Sequence, residues 1–180
     1  KIINKVKKKI GFPVVIKPFN EGSSVEVYIC KKENFYKNLL KLAPYKEIMI
    51  EKYIPGREIQ VAVMDEKPLG AIELVPKREF YDYTAKYSNT AQTKHIMPAP
   101  LSPKKYKKVL SLAKKAHQLL RCKGITRSDF RFFKNKFYLL EINTQPGMTK
   151  LSLVPEIAQY SRINFEDLVV WMLKDASYNR

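Results

Sequence analysis

The sequence is poor in cysteine and has no long apolar run. Its two cysteines, Cys30 and Cys122, lie far apart and lack the paired spacing of metal ligands, which disfavours both a disulfide framework and a zinc site. No apolar stretch is long enough to cross a bilayer, and no signal-peptide core follows the basic start KIINKVKKKIG. We therefore expect a soluble protein of a reducing compartment without a membrane partner. The missing initiator Met indicates a processed, shortened or incompletely recorded chain.

Acidic residues are scarce beside basic ones: 17 Asp and Glu stand against 34 Lys and Arg, a net charge of +17. Such an excess fits a nucleic-acid or anionic-lipid binder, and equally a genome that favours lysine. Eight of the basic residues fall between 104 and 123, in an amphipathic helical pattern predicted to begin at Ser102 and Pro103 and to end at Gly124. We interpret them as the solvated face of that helix. A polyanion-binding surface is the alternative, although no interleaved aromatic and basic pattern marks a nucleic-acid module.

Internal repeats and low-complexity tracts are also absent. The chain has 180 residues, of which 45% are hydrophobic, enough for one sizeable core with room for a small lobe. Runs such as PVVIKP, EIQVAVM and LGAIELV predict strands, and a few helical patterns lie between them. Because the strands are grouped with few helices, we predict an α+β fold with a mostly antiparallel sheet.

A hairpin near the C-terminal end carries the most informative polar residues. It runs from ITRSDFRFF to FYLLEIN, and its register decides which side chains share a face. We predict a three-residue turn of Lys134, Asn135 and Lys136, which places Asp129 opposite Glu141 and Arg127 opposite Asn143. The other face then carries an apolar set that faces the core. This set is Phe130, Phe132, Tyr138, Leu140 and Ile142.

Two carboxylates side by side on a sheet repel each other unless a positive charge lies between them. Asp129, Glu141 and the amide oxygen of Asn143 are hard oxygen donors, which suit Mg²⁺. The pattern therefore suggests a divalent cation. The alternative is that Arg127 neutralises the pair in a solvated patch.

Three further segments have a functional and an ordinary interpretation. FNEGSS, after the strand that ends near Lys17, is either a phosphate-binding turn or a simple hairpin turn, and it lacks the GK[ST] ending of a Walker A loop. EKYIPGRE places Glu51 and Glu58 around a Pro-Gly turn, where they either accept hydrogen bonds from a base and a ribose or remain solvated. FYDYTAKY is either a lid over a site or a loop packed on its own rings.

Together these segments resemble the ATP-grasp portion of D-alanine-D-alanine ligases, bacterial cell-wall enzymes. The resemblance rests on GFPVVIKP with EGSS, IEKYIPGRE, FYDYTAKY, TRSDF, LLEINTQPGMT and SLVPEIA, and it covers essentially the whole chain. It implies an ATP-grasp fold with a small lid lobe over residues 1–55 and a large lobe with the metal site over 56–180. The family's N-terminal lobe has no counterpart in this sequence, and neither have its glutamate for the first D-alanine and an earlier lysine for ATP.

The resemblance also implies roles for individual residues. Two Mg²⁺ ions are expected, with Mn²⁺ as an alternative, and Glu141 is expected to bridge them. The resemblance implies Asp129 and Asn143 as further metal ligands, Lys17 as a contact of the α- and β-phosphates, and Lys86 as a contact of the γ-phosphate. It assigns Glu51 with the backbone of Lys52 and Ile54 to adenine, and Glu58 to ribose. It assigns Arg127 and the N–H of Gly147 to the oxyanion, Ser152 and the backbone of Leu153 to the second substrate's carboxylate, and Ser23, hydrogen-bonded to Tyr87, to a position near the substrates. Tyr at that loop position is similar to dipeptide-forming members rather than to those that accept D-lactate.

The function implied is a cytoplasmic, ADP-forming ligase that joins two D-alanines through an acylphosphate for peptidoglycan synthesis. Its partners are ATP and D-alanine, without nucleic acid or membrane, and the full-length protein is expected to be a homodimer. We expect this segment alone to be inactive, because the first-substrate site lies in the missing lobe. Two alternatives remain: an ATP-grasp enzyme that activates another carboxylate, and a non-catalytic basic domain that binds polyanions.

Overall fold

A computed structural model describes residues 1–22, 24–76 and 93–177. The chain divides into two compact units. The first consists of Lys1–Ile54 and, among the described residues, also of Pro76 and Thr93. The second consists of Pro55–Val75 and Lys94–Arg180.

The first unit is a small three-stranded antiparallel sheet with two helices. Its elements are α1 (Ile2–Lys9), β1 (Val14–Pro18), β2 (Tyr28–Cys30), α2 (Phe35–Lys41) and β3 (Ile48–Lys52). The strand order is β2-β1-β3, so β1 lies in the centre. The core combines residues of the sheet and of both helices: Val6, Val14, Ile16, Cys30, Phe35 and Leu42. Helix α1 ends just before Gly11, which takes a φ of 76° that suits glycine.

The second unit is built on a five-stranded antiparallel sheet. Its elements are β4 (Arg57–Met64), β5 (Lys67–Val75), β6 (Lys94–Ile96), α3 (Pro103–Leu119), β7 (Ile125–Phe133), β8 (Lys136–Asn143), α4 (Leu153–Tyr160) and α5 (Phe165–Asp175). The order is β6-β5-β4-β7-β8, so β6 and β8 are the outer strands of the described sheet. Every strand pair in both described sheets is antiparallel, which confirms the α+β prediction. The short strand β6 had no sequence signal.

Helix α3 covers one face of this sheet. Val109, Ala113 and His117, one or two turns apart, are buried and form a stripe of helical period. The core between helix and sheet contains Ile59, Val61, Val63, Ala71, Ala99, Val109, Ala113 and Phe130. Most lysines of the helix lie on its exposed or half-exposed sides, as expected for a solvated face.

The predicted end of α3 was wrong. The helix ends at Leu119, and Arg121, with a φ of 52°, takes the left-handed conformation after it. Gly124 is also left-handed, but it lies immediately before β7 and not at the helix end. No helix in residues 1–22, 24–76 or 93–177 is both long and apolar enough to cross a membrane.

The β7-β8 hairpin combines a confirmed pairing with a wrong turn. Asp129 lies opposite Glu141 and Arg127 opposite Asn143, as predicted. The turn, however, has two residues, Lys134 and Asn135, because Phe133 already pairs with Lys136. Both φ angles are positive, 44° and 66°, which fits a two-residue hairpin turn.

A β-bulge at Leu140 reconciles the short turn with the predicted pairing. Phe130 pairs with Leu139 and Asp129 with Glu141, so Leu140 is the extra residue in β8. The predicted core side of β8 was therefore wrong near the turn. Phe137 packs on Phe130 and Phe132, whereas Leu140 is 47% exposed.

Candidate active site

One face of the five-stranded sheet, opposite to α3, collects a row of polar side chains; we call it the site face. Alternation along β4, β7 and β8 together with their register places these side chains on the same side. Glu58 lies opposite Arg131, Gln60 opposite Asp129, and Asp129 opposite Glu141. The site face consists of Glu58, Gln60, Arg127, Asp129, Arg131, Glu141 and Asn143.

Asp129 is the most buried carboxylate of the site face, at 6% exposure. Arg127 donates to both of its oxygens, from Nε to Oδ1 at 2.8 Å and from Nη2 to Oδ2 at 2.9 Å. Asn143 donates from Nδ2 to Oδ2 at 3.3 Å. This two-point ion pair is the neutralisation that the sequence left open as the alternative to a metal, and it offsets the cost of burying Asp129.

Glu141 differs from Asp129 in its surroundings. It is exposed, and within the described part of the chain its carboxylate has no hydrogen bond or ion pair. The same holds for the Oδ1 atom of Asn143, because the Asn143 amide uses its nitrogen toward Asp129. Two oxygen donors thus lie next to Asp129 without a protein partner among the described residues.

This donor set fits Mg²⁺ in chemistry and in number. Mg²⁺ is bound in proteins by one or two carboxylates, with waters and substrate phosphates completing its octahedron. Among residues 1–22, 24–76 and 93–177, no group of three or more His, Cys, Asp or Glu side chains is arranged to hold a metal ion. A metal at the site face would be held by Asp129, Glu141 and Asn143, and Arg127 would have to yield an oxygen of Asp129.

Glu58 is held by two neighbours on the site face. Its Oε1 accepts a hydrogen bond from Gln60 Nε2 at 3.2 Å, and its Oε2 lies 3.5 Å from Arg131 Nη2. Arg131 also donates from Nη1 to the carbonyl of Gly56 at 3.0 Å. Neither Gln60 nor Arg131 was selected from the sequence, because only the register of β4 against β7 brings them to Glu58.

An ion pair on the opposite face anchors the start of β4. Arg57 Nε and Nη2 donate to the two oxygens of Glu73 at 2.6 and 2.7 Å, and Nη2 also donates to the Pro100 carbonyl. Hydrogen bonding to Glu73 raises the pKa of Arg57 above its ordinary value, against the lowering by burial. The pair fixes the residue directly before Glu58.

The loop after β8 leads into the N-terminus of α4. Ser152 precedes the helix, and its Oγ accepts from the N–H of Thr149 at 3.0 Å instead of capping α4. A Cβ on Gly147 would lie 3.0 Å from Ser152 Oγ, so Gly147 and Ser152 are neighbours. The first N–H groups of a helix lack intrahelical acceptors, which leaves those of Leu153 and Val154 available to an anion.

A side-chain pair that the sequence did not indicate connects α4 to β6. His95 Nδ1 lies 2.7 Å from Glu156 Oε2, and both side chains are about one-third exposed, at 29% and 36%. Glu156 is in the first turn of α4. No motif marked either residue, since their contact depends on how α4 packs on the sheet.

In the first unit, Lys17 and Glu51 contact each other. Lys17 Nζ lies 2.6 Å from Glu51 Oε2, because β1 pairs with β3 so that Val15 faces Glu51. The sequence had assigned these residues to different parts of a nucleotide. Lys52 ends β3 and donates from its side chain to the Gly11 carbonyl at 3.3 Å, and Ile54 lies just beyond the strand.

Several predicted site residues lie outside the described residues. They are Ser23, Lys86 and Tyr87, together with the FYDYTAKY segment that contains the last two. Their assignments stay predictions.

A pocket of about 510 Å³ borders the loop after β8. Pro146 and Met148, on either side of Gly147, line it together with Trp171 and Asp175 of α5. None of Asp129, Glu141 or Asn143 lines it. The metal-ligand candidates therefore do not line this pocket.

Comparison with known proteins gives a consistent answer. The model of a family described as D-ala D-ala ligase C-terminus matches residues 1–174. The D-alanine-D-alanine ligase of Pelagibacter ubique is 62% identical over 99% of this chain, and that of Geotalea uraniireducens is 49% identical over 94%. The chain spans 59% and 55% of the lengths of these two relatives.

Solved structures agree. The D-alanine-D-alanine ligase from Bacillus anthracis superimposes with a TM-score of 0.82 at 33% identity, over 96% of this chain and 56% of that protein. The same enzyme complexed with ATP gives a TM-score of 0.76 at 28% identity, over 93% and 53%. The predicted ATP-grasp fold is thereby confirmed. Because this family model matches nearly the whole chain, the chain belongs to the D-alanine-D-alanine ligase family and corresponds to the C-terminal part of its members.

Proposed function

We propose that this chain is the ATP-grasp part of an ADP-forming ligase that joins two D-alanines through an acylphosphate. The observation that carries the proposal is the family match over residues 1–174 combined with the polar row of the site face. The reaction belongs to a protein of the relatives' length. Its product serves peptidoglycan precursors in the cytoplasm, and hence cell shape.

The nucleotide contacts are assigned to individual residues as the family resemblance implies. Lys17 contacts the α- and β-phosphates, Lys86 the γ-phosphate, and Glu51 with the backbone of Lys52 and Ile54 the adenine. Lys17 and Glu51 form an ion pair with each other. Each can exchange this partner for a polar group of the nucleotide when the nucleotide binds, which supports both assignments. Glu58 accepts hydrogen bonds from the ribose hydroxyls.

Asp129, Glu141 and Asn143 would hold two Mg²⁺ ions, or Mn²⁺ in their place, with Glu141 as a ligand of both. When bound, the metal neutralises the nucleotide's phosphates and makes the γ-phosphorus more electrophilic. The oxygens of Glu141 and Asn143, which lack a protein partner in the part of the chain that the structure describes, support this assignment, because a carboxylate and an amide oxygen at the edge of the site face can coordinate a cation.

The chain's own residues position the two covalent steps. A carboxylate oxygen of the first D-alanine attacks the γ-phosphorus, and the bond to ADP breaks. The amine of the second D-alanine then attacks the acyl carbon, phosphate leaves with the electron pair of the broken C–O bond, and the proton lost by the nitrogen passes to the departing phosphate. Arg127 and the N–H of Gly147 stabilise the oxyanion of the second step, for which preorganised donors are effective.

The second D-alanine is oriented by its carboxylate at the N-terminus of α4. Ser152 and the backbone N–H of Leu153 donate to it, with support from the positive end of the helix dipole. Ser23 and Tyr87 lie outside the described residues; the family resemblance assigns them to a hydrogen-bonded pair near the substrates, with a tyrosine that favours an amine over D-lactate as the second substrate. The full-length protein acts as a homodimer without nucleic-acid or membrane partners.

The test is a calorimetric titration of the full-length protein carrying this segment with a non-hydrolysable ATP analogue. We expect saturable, Mg²⁺-dependent binding that is lost in Glu141→Gln. Glu166→Gln, which changes an exposed carboxylate of α5, is the matched control and should bind as the unchanged protein does.

The substrate is tested separately by phosphate release in the presence of single amino acids. D-alanine should stimulate release far more than other amino acids. Stimulation by a different carboxylate would assign the chain to another ATP-grasp ligase. Binding that is independent of Mg²⁺ and falls steeply with salt would contradict the ligase proposal and favour a polyanion binder.

A further inference from the structure

We propose that Gln60 and Arg131 are positioning residues of the nucleoside subsite, which hold the Glu58 carboxylate in the orientation that selects a ribose with both hydroxyls. The inference rests on the ribose role proposed for Glu58. It adds two residues that no motif indicated and a function for each.

Contacts to both of its oxygens fix the Glu58 carboxylate. Glu58 is contacted from two sides, by Gln60 on one oxygen at 3.2 Å and by Arg131 on the other at 3.5 Å. One contact would leave the carboxylate free to rotate about its terminal bond, whereas contacts to both oxygens fix its plane. A fixed plane is what a vicinal diol requires, because its two hydroxyls must reach the group together.

Arg131 also holds the backbone that leads to Glu58. Arg131 Nη1 donates to the Gly56 carbonyl at 3.0 Å while its Nη2 faces Glu58. The side chains of Arg131 and Glu58 are each only 13% exposed, so water competes weakly for these contacts. One guanidinium thus fixes both the carboxylate and the turn two residues before it.

The side chain of Gln60 is unfavourable for the stability of the fold. It is 1% exposed in the middle of the sheet, and its Oε1 has no hydrogen-bond partner among residues 1–22, 24–76 and 93–177. A buried amide oxygen without a partner destabilises a protein, so an apolar side chain of similar size would suit the fold better. Stability does not explain this glutamine, and within the described part of the chain its side chain makes a single hydrogen bond, the one that it donates to Glu58.

The experiment compares ATP with 2′,3′-dideoxy-ATP, both with Mg²⁺, in the full-length protein and measures the ratio of their dissociation constants. For the unchanged protein we expect ATP to bind on the order of tenfold more tightly, as for hydrogen bonds to a charged acceptor. Glu58→Ala should bring the ratio near one. Gln60→Met and Arg131→Met should lower it to about threefold or less, since a mobile carboxylate forfeits part of this contact.

The urea midpoint distinguishes a residue that positions Glu58 from one that stabilises the fold. We expect Gln60→Met to keep or raise the urea midpoint while it lowers the ribose ratio. Arg121→Met, which changes an exposed arginine after α3, is the control for Arg131→Met and should change neither quantity. If Arg131→Met does not fold, Arg131→Lys takes its place, because it keeps the charge and loses the two-branched contact.

The outcomes are distinguishable. If Glu58→Ala lowers the ratio but Gln60→Met and the Arg131 variant leave it unchanged, the inference is overturned and the ribose role of Glu58 stands. If the unchanged protein does not distinguish the two nucleotides, the ribose role and the inference both fail. If no nucleotide binds, the proposed function itself is wrong, and the positioning role fails with it.

Discussion

The guanidinium of Arg127 holds both carboxylate oxygens of Asp129, at 2.8 and 2.9 Å, on the same strand. Arg127 therefore competes with any cation for the carboxylate that the metal site would use. In the structure the Arg127 guanidinium is paired with Asp129, whereas the proposed oxyanion role requires the same guanidinium to contact the substrate. This competition leads to the first prediction.

Arg127→Met should strengthen metal binding and weaken catalysis. Removal of one positive charge a few ångströms away should tighten Mn²⁺ binding on the order of tenfold, measured by electron paramagnetic resonance without nucleotide. D-alanine-dependent turnover should fall by about 10² or more, because an oxyanion donor is lost. Arg162→Met is the control at an exposed position, and weaker Mn²⁺ binding in Arg127→Met would contradict the competition.

The ion pair of Arg57 with Glu73 should be a major contribution to the stability of the second unit. Glu73 is 5% exposed, so Arg57→Met leaves a buried carboxylate unpaired, at a cost of about 3 kcal/mol in the free energy of unfolding. Urea unfolding followed by the fluorescence of Trp171 measures this. The double variant Arg57→Met with Glu73→Leu should recover much of the loss, and strictly additive losses would refute the pairing.

His117 makes the stability of the second unit dependent on pH. Its Nδ1 lies 2.8 Å from Thr126 Oγ1 in the core, and burial lowers the pKa of His117 below 6.5, against the opposing effects of Asp65 and Glu66. The unfolded state therefore binds a proton more readily than the folded state. Above pH 6.5, where His117 is neutral in both states, its titration costs the folded chain no free energy of unfolding. This free energy falls as the pH drops from 6.5 through the lowered pKa.

The measurement is the free energy of unfolding between pH 5 and 7.5 for the unchanged chain and for His117→Gln. The variant should be less stable at pH 7.5 and should have a shallower dependence on pH. Lys123, which lowers the same pKa, provides a second variant: Lys123→Gln should bring the folded-state pKa closer to 6.5 and so make the loss of stability at low pH smaller. Equal slopes for all three proteins would show that His117 does not govern this range.

Gly56 should tolerate no side chain. Its φ is 109°, and a Cβ would lie 2.4 Å from the Phe132 carbonyl oxygen, so Gly56→Ala should cost about 3 kcal/mol through strain and overlap. Gly22→Ala is the matched control, because nothing lies within 4 Å of its Cβ position. Comparable urea midpoints for the two variants would mean that the turn before Glu58 adapts.

The sequence predicted what depends on alternation and on short-range signals. The strand pattern of ITRSDFRFF and FYLLEIN predicted which residues face each other across the hairpin, and Asp129 does lie opposite Glu141. It did not predict the bulge at Leu140, because a two-residue turn plus one extra residue gives the same pairing as a three-residue turn. The choice between them depends on Phe137 packing against Phe130, a tertiary contact.

Contacts between strands distant in the chain could not be predicted either. Glu58 and Arg131 are 73 positions apart and meet only through the register of β4 against β7. The same is true of His95 and Glu156, which depend on the packing of a helix on an outer strand. Such partners have no local signal, since any charged residue on an exposed face would look the same.

The bulge at Leu140 also affects how the protein behaves toward other copies of itself. As an outer strand of the described sheet, β8 presents backbone donors and acceptors, with Leu139 and Leu140 nearly half exposed beside them. A straight strand of this kind is a template for intermolecular sheet growth, and the extra residue interrupts the regular spacing that an added strand must match. The irregularity that sets Glu141 beside Asp129 thus also protects the molecule against aggregation.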